Sequence, residues 1–278
     1  MTRVLSAAAL VAVLLIVVWF APPWATLALG ALAAAAASAE LVALGGGGAR
    51  STLAVVAALA SAVVAAAFAF GDPIVAGPGS HFTTLVVVLL AGILVAGATA
   101  LVSSAPAPAA IPTVALGFMA PMYIGLPIGV LVWIQAVYGR EALLLPVVLV
   151  AVSDTAQYYS GRALGRHKLA PRVSPAKTVE GAVGGLVAAA IVGALVAPRW
   201  LGVAAVPTRA VPMVVAAALG AILALAGMVG DLFESFLKRS AGVKDSSALI
   251  PGHGGVLDRI DSHLFAAPLY YLFLRYLA

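Results

Sequence analysis

The chain is a succession of apolar runs, each about as long as a bilayer crossing, with only short breaks between them. Candidate spans fall at about 4–20, 24–44, 52–70, 82–103, 110–138, 142–161, 178–197, 211–233 and 256–277. A helix needs about 20 mainly apolar residues to cross the hydrocarbon core. Within lipid, only a backbone that satisfies its own hydrogen bonds is tolerated. The runs therefore predict an all-α, polytopic membrane bundle of about nine helices. Its composition, 64% hydrophobic and 9% charged, excludes an ordinary soluble domain, in which about 25% of residues are charged. Cysteine is absent, which removes disulfides, thiol nucleophiles and cysteine metal sites. No basic run interleaved with aromatics points to nucleic acid.

The N-terminal stretch, Arg3 followed by an apolar run, is like a secretory signal. A second apolar segment follows after only Ala21, Pro22 and Pro23, so the first is read as a retained span. The 110–138 stretch holds Pro112, Pro121 and Pro127. It is compatible with one kinked helix, a span plus a re-entrant piece, or two short helices. Breaks at 45–51, 71–81 and 103–110 separate the early spans, and the four glycines at 45–48 read as a flexible loop.

Loop charge sets orientation. With 110–138 counted as one crossing, one face holds Arg3, Arg50, Arg162, Arg166, Lys168, Arg172, Lys177, Lys238, Arg239, Lys244 and Arg259. The other holds Arg140, Arg199, Arg209 and Arg275. Eleven against four makes the first face cytoplasmic and puts the N-terminus inside.

Acids gather at that same face. Asp154, Glu180, Asp231, Glu234, Asp258 and Asp261 all fall near cytoplasmic helix ends, with Asp245 in the adjoining loop. Asp231, Glu234, Ser235 and Lys238 share one helix face, and Asp258 and Asp261 are one turn apart. Carboxylates at hydrocarbon depth are costly and ordinarily face a polar cavity or a partner. Oxygen ligands with no cysteine and few histidines suit Mg²⁺ or Mn²⁺, and nearby Lys, Arg and open glycine N–H groups suit phosphate. Taken singly, the pieces have plainer readings. The basic loop serves topology, the Pro-Gly-His-Gly-Gly run makes a turn, and the acids after it cap a helix. Glu40, isolated in the 24–44 span, reads as a buried hydrogen-bonding or packing residue. It is their concentration at one face that points to a metal–polyphosphate site at the lipid–water boundary.

The stretch "SFLKRSAGVKDSSALIPGHGGVLDRID" (235–261) closely resembles the signature of the phosphatidate cytidylyltransferases, or CDP-diacylglycerol synthases. All thirteen fixed positions over 27 residues are filled: Ser235, Lys238, Arg239, Lys244, Asp245, Pro251, Gly252, His253, Gly254, Gly255, Asp258, Arg259 and Asp261. The stretch "SDTAQYYSGRALGRHKLAPRVSPAKTVEG" (153–181) is similar to that family's upstream loop. It departs at Gln157, where a small residue is expected, and at Ala176, where a lysine is usual. The resemblance is specific over about 153–261. It divides the chain into N-terminal transmembrane helices, 1–140, and a catalytic region, 141–278, within one continuous membrane domain.

The resemblance implies transfer of a cytidylyl group from CTP to phosphatidate, giving CDP-diacylglycerol and pyrophosphate. It further implies a Mg²⁺-dependent, homodimeric, multi-pass enzyme of the inner (plasma) membrane with its site facing the cytoplasm. Asp231 and Asp258 match the metal-binding acids, with Asp261 or Asp154 as further ligands and room for a second cation. Lys238 matches the key basic residue. Ser235, Arg239, Lys244, His253, Gly254, Gly255, Arg259, Lys177 and Arg162 are the expected substrate contacts. Competing readings are another lipid-linked nucleotide-dependent transferase, a polyprenol kinase, or a cation or phosphate transporter. A transporter should carry ionisable groups near mid-bilayer, where this chain has little besides Glu40.

Overall fold

The computed structural model describes residues 2–46, 51–70, 90–98, 100–101, 110–203 and 211–276. The expected breaks at 71–81 and 103–109, most of 45–51 and half of the 82–103 span lie outside these residues, as do Arg50 and Arg209. The described chain is mainly helical, with one short hairpin and a non-helical loop at 241–256, and it divides into two compact units. One comprises 1–133 with 241–259, the other 134–240 with 260–278.

In the first unit, α1 (Thr2–Phe20), α2 (Pro23–Leu44) and α3 (Thr52–Phe70) form where the apolar runs predict helices. Proline at the first position of α2 gives up an N–H that has no intrahelical acceptor anyway. The helix ends at Gly45 and Gly46, the latter at φ +85°, a conformation that costs glycine little. Next come α4 (Ala110–Ala120), a π-helical turn (Pro121–Gly125) and α5 (Leu126–Tyr138). Pro121 cannot donate to the preceding turn, and the wider turn absorbs that loss without ending the helix. The 110–138 stretch is therefore one continuous helix rather than two short ones. Gly125 and Gly129 lie against α3, where an added Cβ would stand 2.6 Å from the Ser61 carbonyl oxygen and 2.8 Å from that of Ala65. A buried Ser38–Ser61 hydroxyl bond of 2.7 Å links α2 to α3.

The second unit begins within α5 and continues with α6 (Arg140–Leu164), β1 (Lys168–Ala170), β2 (Ser174–Thr178), α7 (Val179–Val203) and α8 (Met213–Ser240). Most of α9 (Leu257–Tyr276) completes it. The basic segment 162–177, read from sequence as a loop, holds the antiparallel β1–β2 hairpin, with Lys168 opposite Thr178 and Ala170 opposite Ser174. Thr178 caps α7 by accepting the Gly181 N–H at 3.1 Å. Helices α6, α7 and α8 pack closely in sequence order because their seam is glycine. A Cβ on Gly181 would lie 2.8 Å from the Gln157 carbonyl oxygen, on Gly185 2.9 Å from that of Ser153, and on Gly193 2.6 Å from that of Ala216. Small residues at such seams let helix backbones approach. On the other side of α7, Val183, Val187, Ile191 and Leu195 form an exposed apolar stripe four residues apart.

Six described helices are long and apolar enough to cross a membrane: Trp24–Leu44, Thr52–Ala69, Ile111–Tyr138, Arg140–Leu164, Val179–Gly202 and Met213–Ser240. Helix α9 occupies the expected last span, but Asp258, Arg259 and Asp261 make its first turns more polar.

Candidate active site

In the second unit, the hairpin and the helix ends assemble alternating charges. Lys177, on β2, places its Nζ 2.6 Å from Asp231 Oδ2, with both side chains mostly sheltered. Ser235, one turn after Asp231 on α8, donates to its Oδ1 at 3.3 Å. Lys238 forms an ion pair with Glu234, also one turn apart, and the Glu234 side chain is fully buried. Asp154 on α6 lies within electrostatic range of Asp231 and Lys177. Asp261 on α9 lies within range of Asp231, Lys238 and Asp154. It is further held by the Ser262 N–H, which donates to its Oδ1 at 2.6 Å. The second unit thus gathers Asp154, Asp231, Asp261, Lys177, Lys238 and Ser235 out of the expected set.

The hairpin carrying Lys177 is fixed at its base. Glu180 accepts the Arg166 N–H at 3.0 Å and the His167 N–H at 3.2 Å, and its Oε1 lies 2.6 Å from His167 Nδ1. Arg239 Nε donates to the Val173 carbonyl at the hairpin turn, 3.4 Å away. Arg162, exposed at the end of α6, donates to the Tyr158 hydroxyl at 3.3 Å. Gln157, where the resemblance expects a small residue, donates to Asp154 Oδ1 at 3.3 Å and to Ser153 Oγ at 3.0 Å. It therefore orients one of the expected acids.

The first unit contains the loop from Ala241 to Arg259, with Lys244, His253, Gly254, Gly255, Asp258 and Arg259. Its turn is built by Pro251 and Gly252. The His253 N–H donates to the Ile250 carbonyl at 2.9 Å, and Gly252 has φ +77°, which meets the proline-then-glycine requirement of a type II turn. Asp258, in the first turn of α9, gathers the loop around one oxygen. Its Oδ2 accepts from Ser246 N at 2.9 Å, Ser246 Oγ at 2.8 Å and Gly255 N at 2.8 Å.

Glu40, 6% exposed in α2, closes the loop from the other side. Its Oε1 accepts from Ser247 Oγ at 2.7 Å and Val256 N at 3.0 Å; its Oε2 accepts from Ser246 Oγ at 3.0 Å and Leu257 N at 2.8 Å. Gly255 leaves the room for this, since any Cβ there would run into Ser246 Oγ and both Glu40 oxygens. The sequence marks Glu40 as a buried hydrogen-bonding or packing residue, and the structure gives it the hydrogen-bonding role. What the sequence could not name is the partner, a loop more than 200 residues away, nor Ser246 and Ser247, which fill unspecified positions of the signature.

The residues fit a divalent cation of the oxygen-loving kind. Among the described residues no three Asp, Glu or His side chains converge as a complete ligand set. Mg²⁺ does not require one: it is commonly held by one or two carboxylates plus water and substrate phosphates. Asp231, already matched with the Lys177 ammonium, presents the oxygen chemistry such a cation needs.

The cytidylyltransferase family model matches residues 1–277. The chain belongs to the cytidylyltransferase family. Among its relatives, the phosphatidate cytidylyltransferase of Brucella suis is 47% identical over 136 residues, covering 49% of this chain and 47% of that protein. That of Bacillus subtilis is 38% identical over 158 residues, 56% of each. The uncharacterised protein YnbB of Escherichia coli is 40% identical over 138 residues, 50% of this chain and 44% of that protein. The chain thus matches about half the length of these relatives.

Proposed function

We propose that this cytidylyltransferase-family protein transfers the cytidylyl group of CTP to phosphatidate, releasing pyrophosphate and leaving CDP-diacylglycerol in the bilayer. The observation that carries the reading is the complete thirteen-position signature at 235–261 in a chain of this family. Named phosphatidate cytidylyltransferases among its relatives add support.

In this reading an oxygen of the lipid phosphate attacks the α-phosphorus of CTP as the bond to pyrophosphate breaks. The nucleophile is already ionised at neutral pH, so no strong general base is needed, and catalysis is mainly positioning and charge neutralisation. Lys177 and Lys238, each resting on a carboxylate, turn to phosphate oxygens when substrate enters. Arg239, Lys244, Arg259 and Arg162 add charge around the triphosphate and the lipid phosphate. Ser235, His253 and the N–H groups of Gly254 and Gly255 offer hydrogen bonds. Asp231 and Asp258, with Asp261 or Asp154, would hold Mg²⁺ or Mn²⁺, which neutralises charge on the triphosphate. A second cation belongs to the same reading.

The same reading makes the chain a nine-span homodimer of the inner membrane, with its N-terminus and site cytoplasmic. The loop-charge asymmetry supports that orientation. The test is incubation of purified protein with CTP, phosphatidate and Mg²⁺, measuring pyrophosphate and CDP-lipid. Both products are expected. No product with intact nucleotide binding would indicate a different acceptor lipid, and neither product nor binding would favour transport.

A further inference from the structure

Glu40 lies in an apolar helix far in sequence from every residue of the signature, yet it accepts four hydrogen bonds from the 246–257 segment. Two of its four donors are the backbone N–H groups of Val256 and Leu257, at the start of α9. These are among the N–H groups a helix cannot satisfy internally, and a carboxylate there also complements the helix dipole. The other two donors, Ser246 and Ser247, lie on the far limb of the loop. One carboxylate therefore ties both limbs together across the Pro-Gly turn. Ser246 Oγ also touches Asp258 Oδ2, and a hydroxyl has a single proton to share between the two acids. Displacement at Glu40 is felt directly at Asp258.

We propose that Glu40 is a positioning residue of the transferase: it sets the shape of the 244–258 loop, and so the affinity of that loop for metal-bound CTP, without touching substrate. This rests on the reaction proposed above. Glu40→Gln tests it because the substitution preserves size but turns an acceptor into a donor. Whichever way the amide sits, its nitrogen would face one backbone N–H, that of Leu257 or Val256, and that bond would be lost, while the serine hydroxyl on the same side can turn to accept.

Glu40→Gln should raise KM for CTP, and the Mg²⁺ concentration giving half-maximal rate, by about 10- to 100-fold, the range for outer-shell partners of metal sites. KM for phosphatidate and the thermal unfolding temperature should stay near wild type. In membranes, trypsin should cut after the exposed Lys244 faster in the variant, read by mass spectrometry of the released peptide. Unchanged CTP and Mg²⁺ dependence would overturn the proposal. So would a fall in rate that merely parallels loss of folded protein. If Glu40→Gln does not fold, Ser247→Ala, which removes one bond of the four, decides: a KM for CTP raised a few-fold supports the role, and an unchanged one overturns it. An inactive wild type would overturn the reaction and this role with it, while the tryptic comparison would separately report whether Glu40 holds the loop.

Discussion

Glu40 and Glu234 are both buried acids in apolar helices, 6% and 0% exposed, and they are compensated in opposite ways. Glu40 is surrounded by neutral donors, two backbone amides and two hydroxyls. Glu234 faces the ammonium of Lys238. Backbone amides cannot leave, and the two short serine side chains are held to the same loop, so together they define a shape. An ammonium on a flexible stem can exchange one anion for another, so it stores a charge that substrate can claim. The loop region is thus organised by geometry, and the α8 region by exchangeable ion pairs.

The sharpest way to break this distinction is Asp258→Asn, which weakens the loop knot and, in the proposed reaction, an oxygen ligand of the metal. Turnover should fall on the order of 10³-fold, as when a preorganised charge-stabilising group is removed, while insertion into the membrane persists. Near-normal product formation would remove Asp258 from the site. Next in size, Lys238→Ala should lower kcat on the order of 10²-fold, and saturating CTP or phosphatidate should not restore it. It should also cost about 3–5 kcal/mol of stability by stranding the buried Glu234 carboxylate. Adding Glu234→Ala should recover the unfolding temperature but not the rate, and recovery of the rate would reduce Lys238 to a counter-ion.

Lys177→Ala probes a more exposed pair. Its stability effect should stay within about 1 kcal/mol, while KM for CTP rises about tenfold through one lost charge-assisted bond. A stability loss without a change in KM would make the Asp231 pair purely structural. Gly193→Ala touches neither organisation. It should cost about 1–3 kcal/mol by overpacking the α7–α8 seam, where a Cβ would meet the Ala216 carbonyl oxygen, seen in detergent unfolding, with kcat of the folded fraction unchanged. Smallest is Arg172→Ala, at an exposed hairpin turn, where the change should stay near the ~0.5 kcal/mol typical of surface sites. A severe loss of activity would bring the turn into the site.

The helices were legible because bilayer-length apolar runs have few other solutions, and α2, α3, α6, α7 and α8 begin or end within a few residues of the expected spans. At Pro121 the sequence showed a disturbance but not its form, since a proline can break, kink or widen a helix depending on what packs beside it. The hairpin was not legible: strands of three and five residues, one containing Pro175, leave no alternating pattern. Within the site, the i, i+4 contacts of Asp231 with Ser235 and of Glu234 with Lys238 follow from helical geometry alone. The Lys177–Asp231 pair requires the hairpin, and the Glu40 knot requires a contact across most of the chain. Gln157 looked like a departure from pattern, and only its bond to Asp154 gives it a task.

The two sides of α7 have different futures under mutation. Along the glycine seam any added side chain meets a neighbouring backbone. Along the stripe of Val183, Val187, Ile191 and Leu195, one aliphatic group replaces another at little cost. The outward side can therefore drift to suit membranes of other thickness or lipid content, while the seam keeps the Thr178 cap and the hairpin before it in register. Adaptation to a new bilayer need not disturb the chemistry at its surface.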